Sequence, residues 1–339
     1  MTGQNVGEGT SGGGGLAGGG RSAAWWQLFR PFTLLPPLLG MLSGALCALG
    51  ARALRSGQSP LEVFGSNPQG YGFAVVMGAL MAATLNAGSN ALNQITDLEN
   101  DRHNKPGRPL PSGRLSIREA FLGSALLYAV ALAAAWHVRP PGVEARECFW
   151  IALGGGLASL IYSVPPIRTK RWGWPAQITI AASRGLLLRA CGWACVATTF
   201  RDPEPWFSGA VFFLFLVGAS ATKDFADMKG DRAAGCFTLP VVHGPRGAAR
   251  RIVPFLVLPW LFLPLGLLLP HPAGGALLAA DPRWICWASV GLAVYGSYVA
   301  WRVLADPDEL ARVENHPSWV HMYGLMMAAQ VGLASAYLL

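Results

Sequence analysis

Long apolar runs alternate with short polar stretches rich in proline, glycine or basic residues, and this rhythm continues along nearly the whole chain. Runs of about 20 residues with few charges are long enough to cross a bilayer as helices. They fall at 27–50, 72–96, 117–138, 149–163, 175–199, 206–222, 253–270, 284–303 and 319–339. The pattern predicts an all-α, polytopic membrane protein of about nine transmembrane helices.

Composition agrees with the pattern. Of 339 residues, 52% are hydrophobic and only 13% charged, and the mean hydropathy of +0.37 is too high for an ordinary water-soluble domain. Residues 1–22 break the rhythm. This Gly-rich tract lacks the apolar core of a signal peptide and is expected to be a flexible tail, leaving 23–339 as the membrane-embedded domain.

Loop charge orients the bundle. The tail end and the loops after the even-numbered runs carry 18 Lys and Arg residues, those after the odd-numbered runs only 6. Because cytoplasmic loops hold the basic excess, the N-terminus and the even loops are expected in the cytoplasm and the C-terminus outside. The formal net charge of +8 therefore reflects membrane orientation, not nucleic-acid binding, since the basic residues form no patch interleaved with aromatics. Six scattered cysteines lack a Cys-x-x-Cys spacing and read as small buried residues.

Against this carboxylate-poor background, two acidic clusters stand at the ends of apolar runs: Asn93, Asp97 and Asp101, and then Asp224, Asp227 and Asp231. A spacing of four stacks side chains along one helix face, with a rise of about 6 Å per step, so like charges repel. Mg²⁺ would bind such oxygens and remove the repulsion, and it commonly bridges protein carboxylates to phosphates. The basic residues Lys105, Arg108, Lys170, Arg171, Lys223 and Arg232, all on the same expected membrane face, fit a diphosphate completing the shell. Between them, 103–114 reads as a Pro/Gly loop closed by a Ser116-x-x-Glu119 capping box.

The motif Asn93-Gln94-Ile95-Thr96-Asp97-Leu98-Glu99-Asn100-Asp101, the following Arg108-Pro109-Leu110-Pro111-Ser112-Gly113, the Tyr162-Ser163 loop with Lys170-Arg171, and Lys223-Asp224-x-x-Asp227-x-x-x-Asp231-Arg232 together resemble the UbiA superfamily of intramembrane prenyltransferases. The likeness runs from about Arg30 to the C-terminus. It leans toward the branch of homogentisate prenyltransferases, chlorophyll synthases and geranylgeranylglyceryl phosphate prenyltransferases. It implies a bundle around a central cavity and Mg²⁺-dependent transfer of an isoprenoid from a prenyl diphosphate to a lipophilic or aromatic, quinone-precursor-like acceptor.

Carried over by position, the resemblance implies Asn93, Asp97, Asp101, Asp224, Asp227 and Asp231 as metal ligands. Asp97, Asp101, Asp227, Asp231 and Tyr162 would act in catalysis. Arg108, Lys170, Lys223, Arg232 and Arg184 would hold the diphosphate. Phe29, Phe32, Trp150, Trp172, Trp174 and Trp193 are candidate cavity walls for an allylic cation. Arg184 and Arg189, five residues apart and about 140° around a helix, are not both expected to face the cavity. His103, Glu99 and the acidic loop of Asp306, Asp308 and Glu309 are assigned no chemistry. The competing reading is an ion-coupled transporter, whose carboxylates would sit at the membrane midplane, or an ester- or ether-forming enzyme of the same family.

Overall fold

The computed structural model describes residues 20–313 and 316–339, apart from the side chains of 103 and 104. Most of the expected tail, 1–19, and the side chain of His103 thus lie outside the described residues. Arg21 and Ser22, placed with the tail by composition, begin the first helix.

Among the described residues every regular element is helical. The principal ones are α1 Arg21–Phe29, α2 Leu35–Ser56, α3 Pro68–Thr96, α4 Leu98–Asn104, α5 Ile117–His137, α6 Glu147–Ser163, α7 Gly173–Ala181, α8 Leu188–Trp193, α9 Glu204–Ala219, α10 Met228–Ala233, α11 Leu239–Leu261, α12 Pro282–Ala305 and α13 Pro317–Leu338. A π-helical turn, Ala182–Leu187, joins α7 to α8.

Each of the nine expected runs is helical over most of its length, but by length and composition five helical stretches among the described residues can cross a membrane: Arg21–Ser56, Pro68–Thr96, Ile117–His137, Glu204–Asp224 and Leu239–Leu268. Glu147–Ser163 is apolar but shorter. The largest boundary difference is at α11, which begins at Leu239 where the apolar run starts only at 253. Its first turns carry Arg246, Arg250 and Arg251, so the helix extends beyond its apolar part, and only Gly244, at φ 68°, interrupts it.

The helices close into a ring. Neighbours run α2, α3, α5, α6, the α7–α8 segment, α9, α11, α12 and α13, which returns to α2, while α8 packs inward against α2. Small residues permit the closest crossings, as expected where helices associate without a hydrophobic drive. A Cβ on Gly44 would lie 2.9 Å from the Cα of Gly192, and one on Gly296 would lie 2.3 Å from the carbonyl of Leu256. Large apolar side chains such as Leu126, Val294 and Trp287 face outward.

Proline chemistry shapes the entrance to the bundle. Arg30, at φ 51°, breaks α1 from the turn that leads into α2, and Pro37 has no N–H for the carbonyl of Thr33. Asn86 of α3 supplies the missing donor at 3.1 Å. One and two turns on, Asn90 donates to the Phe29 carbonyl and Gln94 to that of Leu28. This amide ladder ties the α1–α2 corner to α3 and sets Arg30, Pro31 and Phe32 beside the first acidic motif.

Candidate active site

The first acidic run spans a helix junction. Asp97 terminates α3 with φ −99° and ψ 7°, and α4 restarts at Leu98. The i to i−4 bonds continue across the break, from the Asp97 N–H to Asn93 and from the Asp101 N–H to Asp97, so the side chains keep the stacking their spacing predicts. The second run behaves alike: Asp227 caps α10 and accepts the Asp231 N–H at 2.9 Å. The loop to α5 ends in the expected capping box of Ser116 and Glu119.

Both runs open into one cavity of about 920 Å³. Its walls include Asn93, Asp97, Asp101, Asp224, Asp227 and Asp231, the cations Arg30, Lys105, Arg108, Arg168, Lys170 and Lys223, and Tyr162. Opposite charges interlock there. Lys170 Nζ is 2.6 Å from Asp97 Oδ1 and 3.2 Å from Asn93 Oδ1, and Arg168 approaches Asp97 at 3.4 Å. Arg108 binds Asp101 at 2.5 Å, and Lys105 joins Asp227 at 3.2 Å. Lys223 donates to the Tyr162 hydroxyl at 3.1 Å, with Asp224 held by the Gln177 amide at 2.7 Å.

Burial and crowding disturb the protonation of these groups. The Asp231 carboxyl is pushed up to about 6, first by burial and then by the negative charges of Asp227 and, on the facing motif, Asp97. Asp101 is raised by burial, which outweighs its bond to Arg108. Lys170 is lowered by burial, opposed by Asp97.

Among the described residues no three His, Cys, Asp or Glu side chains are gathered closely enough to cage a metal ion. The side chains that the two acidic runs present to the cavity are carboxylates and the Asn93 amide, and burial, with the charges of Asp227 and Asp97 added to it, holds Asp231 raised. That chemistry fits a hard divalent cation shared with a phosphate-bearing ligand, and it does not fit a closed protein cage.

A model of the UbiA prenyltransferase family matches residues 63–316. The chain belongs to this family. It is similar to the bacteriochlorophyll synthase 33 kDa chain of Cereibacter sphaeroides, 31% identical over 230 residues covering 66% of this chain and 67% of the relative. To the digeranylgeranylglyceryl phosphate synthase of Methanopyrus kandleri it is 31% identical over 274 residues, 76% of this chain and 87% of that one. Among solved structures, a UbiA homolog from Archaeoglobus fulgidus bound to DMAPP and Mg²⁺ shares the fold, with a TM-score of 0.66 at 22% identity, covering 93% of this chain and 99% of the other. As a UbiA-family chain it is an integral, multi-pass membrane protein, and members of the family transfer isoprenoids from prenyl diphosphates to acceptors.

Two of the residues expected at the diphosphate lie elsewhere in this UbiA fold. Arg232 is exposed and outside the cavity lining, because its position on the short helix α10 adjoins Asp231 without sharing its face. Arg184, on the π-helical turn, lines a separate apolar pocket of about 100 Å³ deeper among α2, α7, α9 and α13. The two spaces adjoin, sharing Lys223, Trp319 and Tyr323.

Most of the aromatic walls also differ from expectation. Of the six candidates only Phe32 lines the cavity. Trp150 is exposed on the outer surface, Trp172 stacks on Phe237, Trp174 packs on Phe255, Phe29 packs on Trp25, and Trp193 lines a cleft with Arg52 and Asp202. Trp26, Trp319 and Tyr323 take their place. Cysteine usage departs twice from the packing reading: Cys236 faces the polar cavity and Cys286 is exposed. Arg30 and Arg168 had no motif to announce them as site residues, although both sit in the Pro-rich corners that border the acidic runs.

Proposed function

We propose that this chain moves an isoprenoid from a prenyl diphosphate to a small aromatic or quinone-precursor acceptor and releases diphosphate. The reaction takes place at the cytoplasmic end of the bundle formed by residues 23–339. The observation that carries this reading is the single cavity into which both acidic runs and six cations converge. The orientation rests on the basic excess on that side.

Lys105, Arg108, Arg168 and Lys170 already neutralise the carboxylates, and an entering diphosphate offers them a stronger anionic partner. As they turn to it, Asn93, Asp97, Asp101, Asp227 and Asp231 are freed to hold Mg²⁺. Bound there, Mg²⁺ supplies positive charge to the leaving diphosphate oxygens as the allylic C–O bond breaks. Tyr162, polarised by Lys223, donates its hydroxyl proton toward the same oxygens. Trp319 and Tyr323, at the boundary with the apolar pocket, present ring faces where an allylic cation forms and keep water away.

The test is diphosphate release by membranes containing the full chain, supplied with geranylgeranyl diphosphate and Mg²⁺. Asp97→Asn and Asp227→Asn are each expected to lower the rate by about 100- to 1,000-fold, the usual cost of removing one transition-state electrostatic partner. An undiminished rate in excess chelator overturns the proposal.

A further inference from the structure

The apolar pocket beside the diphosphate cavity ends in a buried amide that nothing in the metal and diphosphate chemistry uses. Trp319, Met322, Tyr323, Met326 and Gln330 line it from one face of α13, at spacings of three and four residues. Gln330 is the polar floor, and it is 7% exposed.

Its orientation follows from its neighbour. Arg189 is 1% exposed, and among the described residues no carboxylate lies within ion-pair distance of it. Its guanidinium instead donates to Ser43 Oγ at 2.8 Å, Gln330 Oε1 at 3.0 Å and Cys47 Sγ at 2.9 Å, and rests 5.4 Å from the Phe212 ring. A guanidinium has only donors, so the amide must present its oxygen to Arg189 and its nitrogen elsewhere. The Ser43 hydroxyl, by donating to the Gln330 backbone carbonyl at 2.6 Å, holds the same junction from the other side. Gln330 Nε2 lies beside Gly40, where a Cβ would come within 3.4 Å, and has no acceptor among the described residues.

An amide N–H that opens onto a pocket and has no protein acceptor is a ready partner for a ligand oxygen. The adjacent positive charge of Arg189 polarises the amide and strengthens it as a donor to an anionic oxygen. At the other end of the pocket stand Arg184 and Lys223, again donors only. We infer that this pocket receives the acceptor, a single-ring molecule carrying a carboxylate or hydroxyl oxygen, and that Gln330 reads that oxygen while Arg189 acts as its positioning residue. The inference rests on the prenyltransferase reading and specifies the acceptor's chemistry.

Homogentisate, a ring with a carboxylate and two hydroxyls, and methylhydroquinone, with the hydroxyls alone, are the probes. Full-length protein in membranes is assayed with geranylgeranyl diphosphate and Mg²⁺. Gln330→Glu keeps an oxygen for Arg189, so the bundle retains its pairing while the donor is lost. It is expected to lower kcat/KM for homogentisate by about 10- to 100-fold, through acceptor KM, with the KM for geranylgeranyl diphosphate within about twofold. A larger loss for homogentisate than for methylhydroquinone assigns the carboxylate to Gln330, and an equal loss assigns a hydroxyl; either supports the inference. Arg189→Lys is expected to raise acceptor KM in the wild-type background and to add little to Gln330→Glu, a non-additivity that a merely structural role would not produce.

The inference is overturned if Gln330→Glu alters donor KM or donor chain-length preference instead of acceptor KM. It is also overturned if neither ring is prenylated while Mg²⁺-dependent diphosphate release proceeds. Absence of any diphosphate release from the wild type would instead sink the prenyltransferase reading itself.

Discussion

Lys105 reaches from the loop after the first acidic run to Asp227 of the second, with Nζ 3.2 Å from Oδ1 across 122 residues of sequence. The contact bridges the two halves of the site. Both side chains are partly open to the cavity, so the pair contributes little to stability and its ammonium is available to an incoming anion. Lys105→Met is therefore expected to raise the KM for a prenyl diphosphate by about 10-fold while shifting the thermal midpoint little. An unchanged KM would show that this lysine only screens Asp227.

Arg108 and Arg232 both follow an acidic run, the first seven residues after Asp101 and the second directly after Asp231, and the fold separates them. Arg108 is bound to Asp101 inside the cavity and Arg232 is exposed outside it. Steady-state kinetics of Arg108→Ala and Arg232→Ala should therefore differ, with a loss of about 10- to 100-fold in kcat/KM for the donor in the first and a change within about twofold in the second. Equal losses would put Arg232 back at the diphosphate.

The contrast between these arginines shows what the sequence could carry. Spacing of four within an acidic run specifies which side chains share a face, and the backbone bonds from Asp97 to Asn93 and from Asp231 to Asp227 keep that geometry even where a helix ends. Loop charge likewise groups the runs at one end. Facing direction inside a uniformly apolar helix leaves no such trace, because burial and lipid contact both select the same residues. Trp150 could therefore not be told from Trp319 by composition. Arg184 was harder still, since the π turn at 182–187 alters the angular step that a 3.6-residue period assumes. Gln330 carried no signal, as its role depends on Arg189 from a helix distant in sequence.

Asp231 makes the site's response to metal depend on pH. Its folded value of about 6 lies above the ordinary 3.8, so the folded chain binds more protons than the unfolded one between these values. Stability from this group is fully present below about 4 and is lost as pH rises to about 6. Above that range the carboxylate is ionised and repelled by Asp227 and Asp97, the state that a divalent cation relieves. The rise in thermal midpoint on adding Mg²⁺ is accordingly expected to be larger at pH 7.5 than at pH 5, where the ion must displace a proton. Asp231→Asn should flatten that difference. A Mg²⁺ effect independent of pH in the unmodified protein would contradict the assignment of Asp231 to the cation.

The opposite end of α9 offers the matching control. Glu204 and Asp224 bound the same apolar stretch, about 30 Å apart at 1.5 Å per residue, but their surroundings differ in kind. Glu204 is fully buried, and its carboxylate gathers Arg55 at 2.5 Å, the Tyr337 hydroxyl at 2.5 Å and the Ala279 N–H at 2.7 Å. These partners come from α2, α13 and the segment before α12, so one side chain ties together three parts of the ring far from the diphosphate cavity. Glu204→Ala strands Tyr337 and the Ala279 N–H and leaves Arg55 to turn toward solvent. The expected cost is about 3 kcal/mol, the lower end for breaking a buried pair because Arg55 is partly exposed. Thermal unfolding in detergent reads the loss, and donor KM measured on the surviving folded fraction should remain at the wild-type value. A donor KM that rises with the loss of stability would mean that the two ends of α9 are coupled.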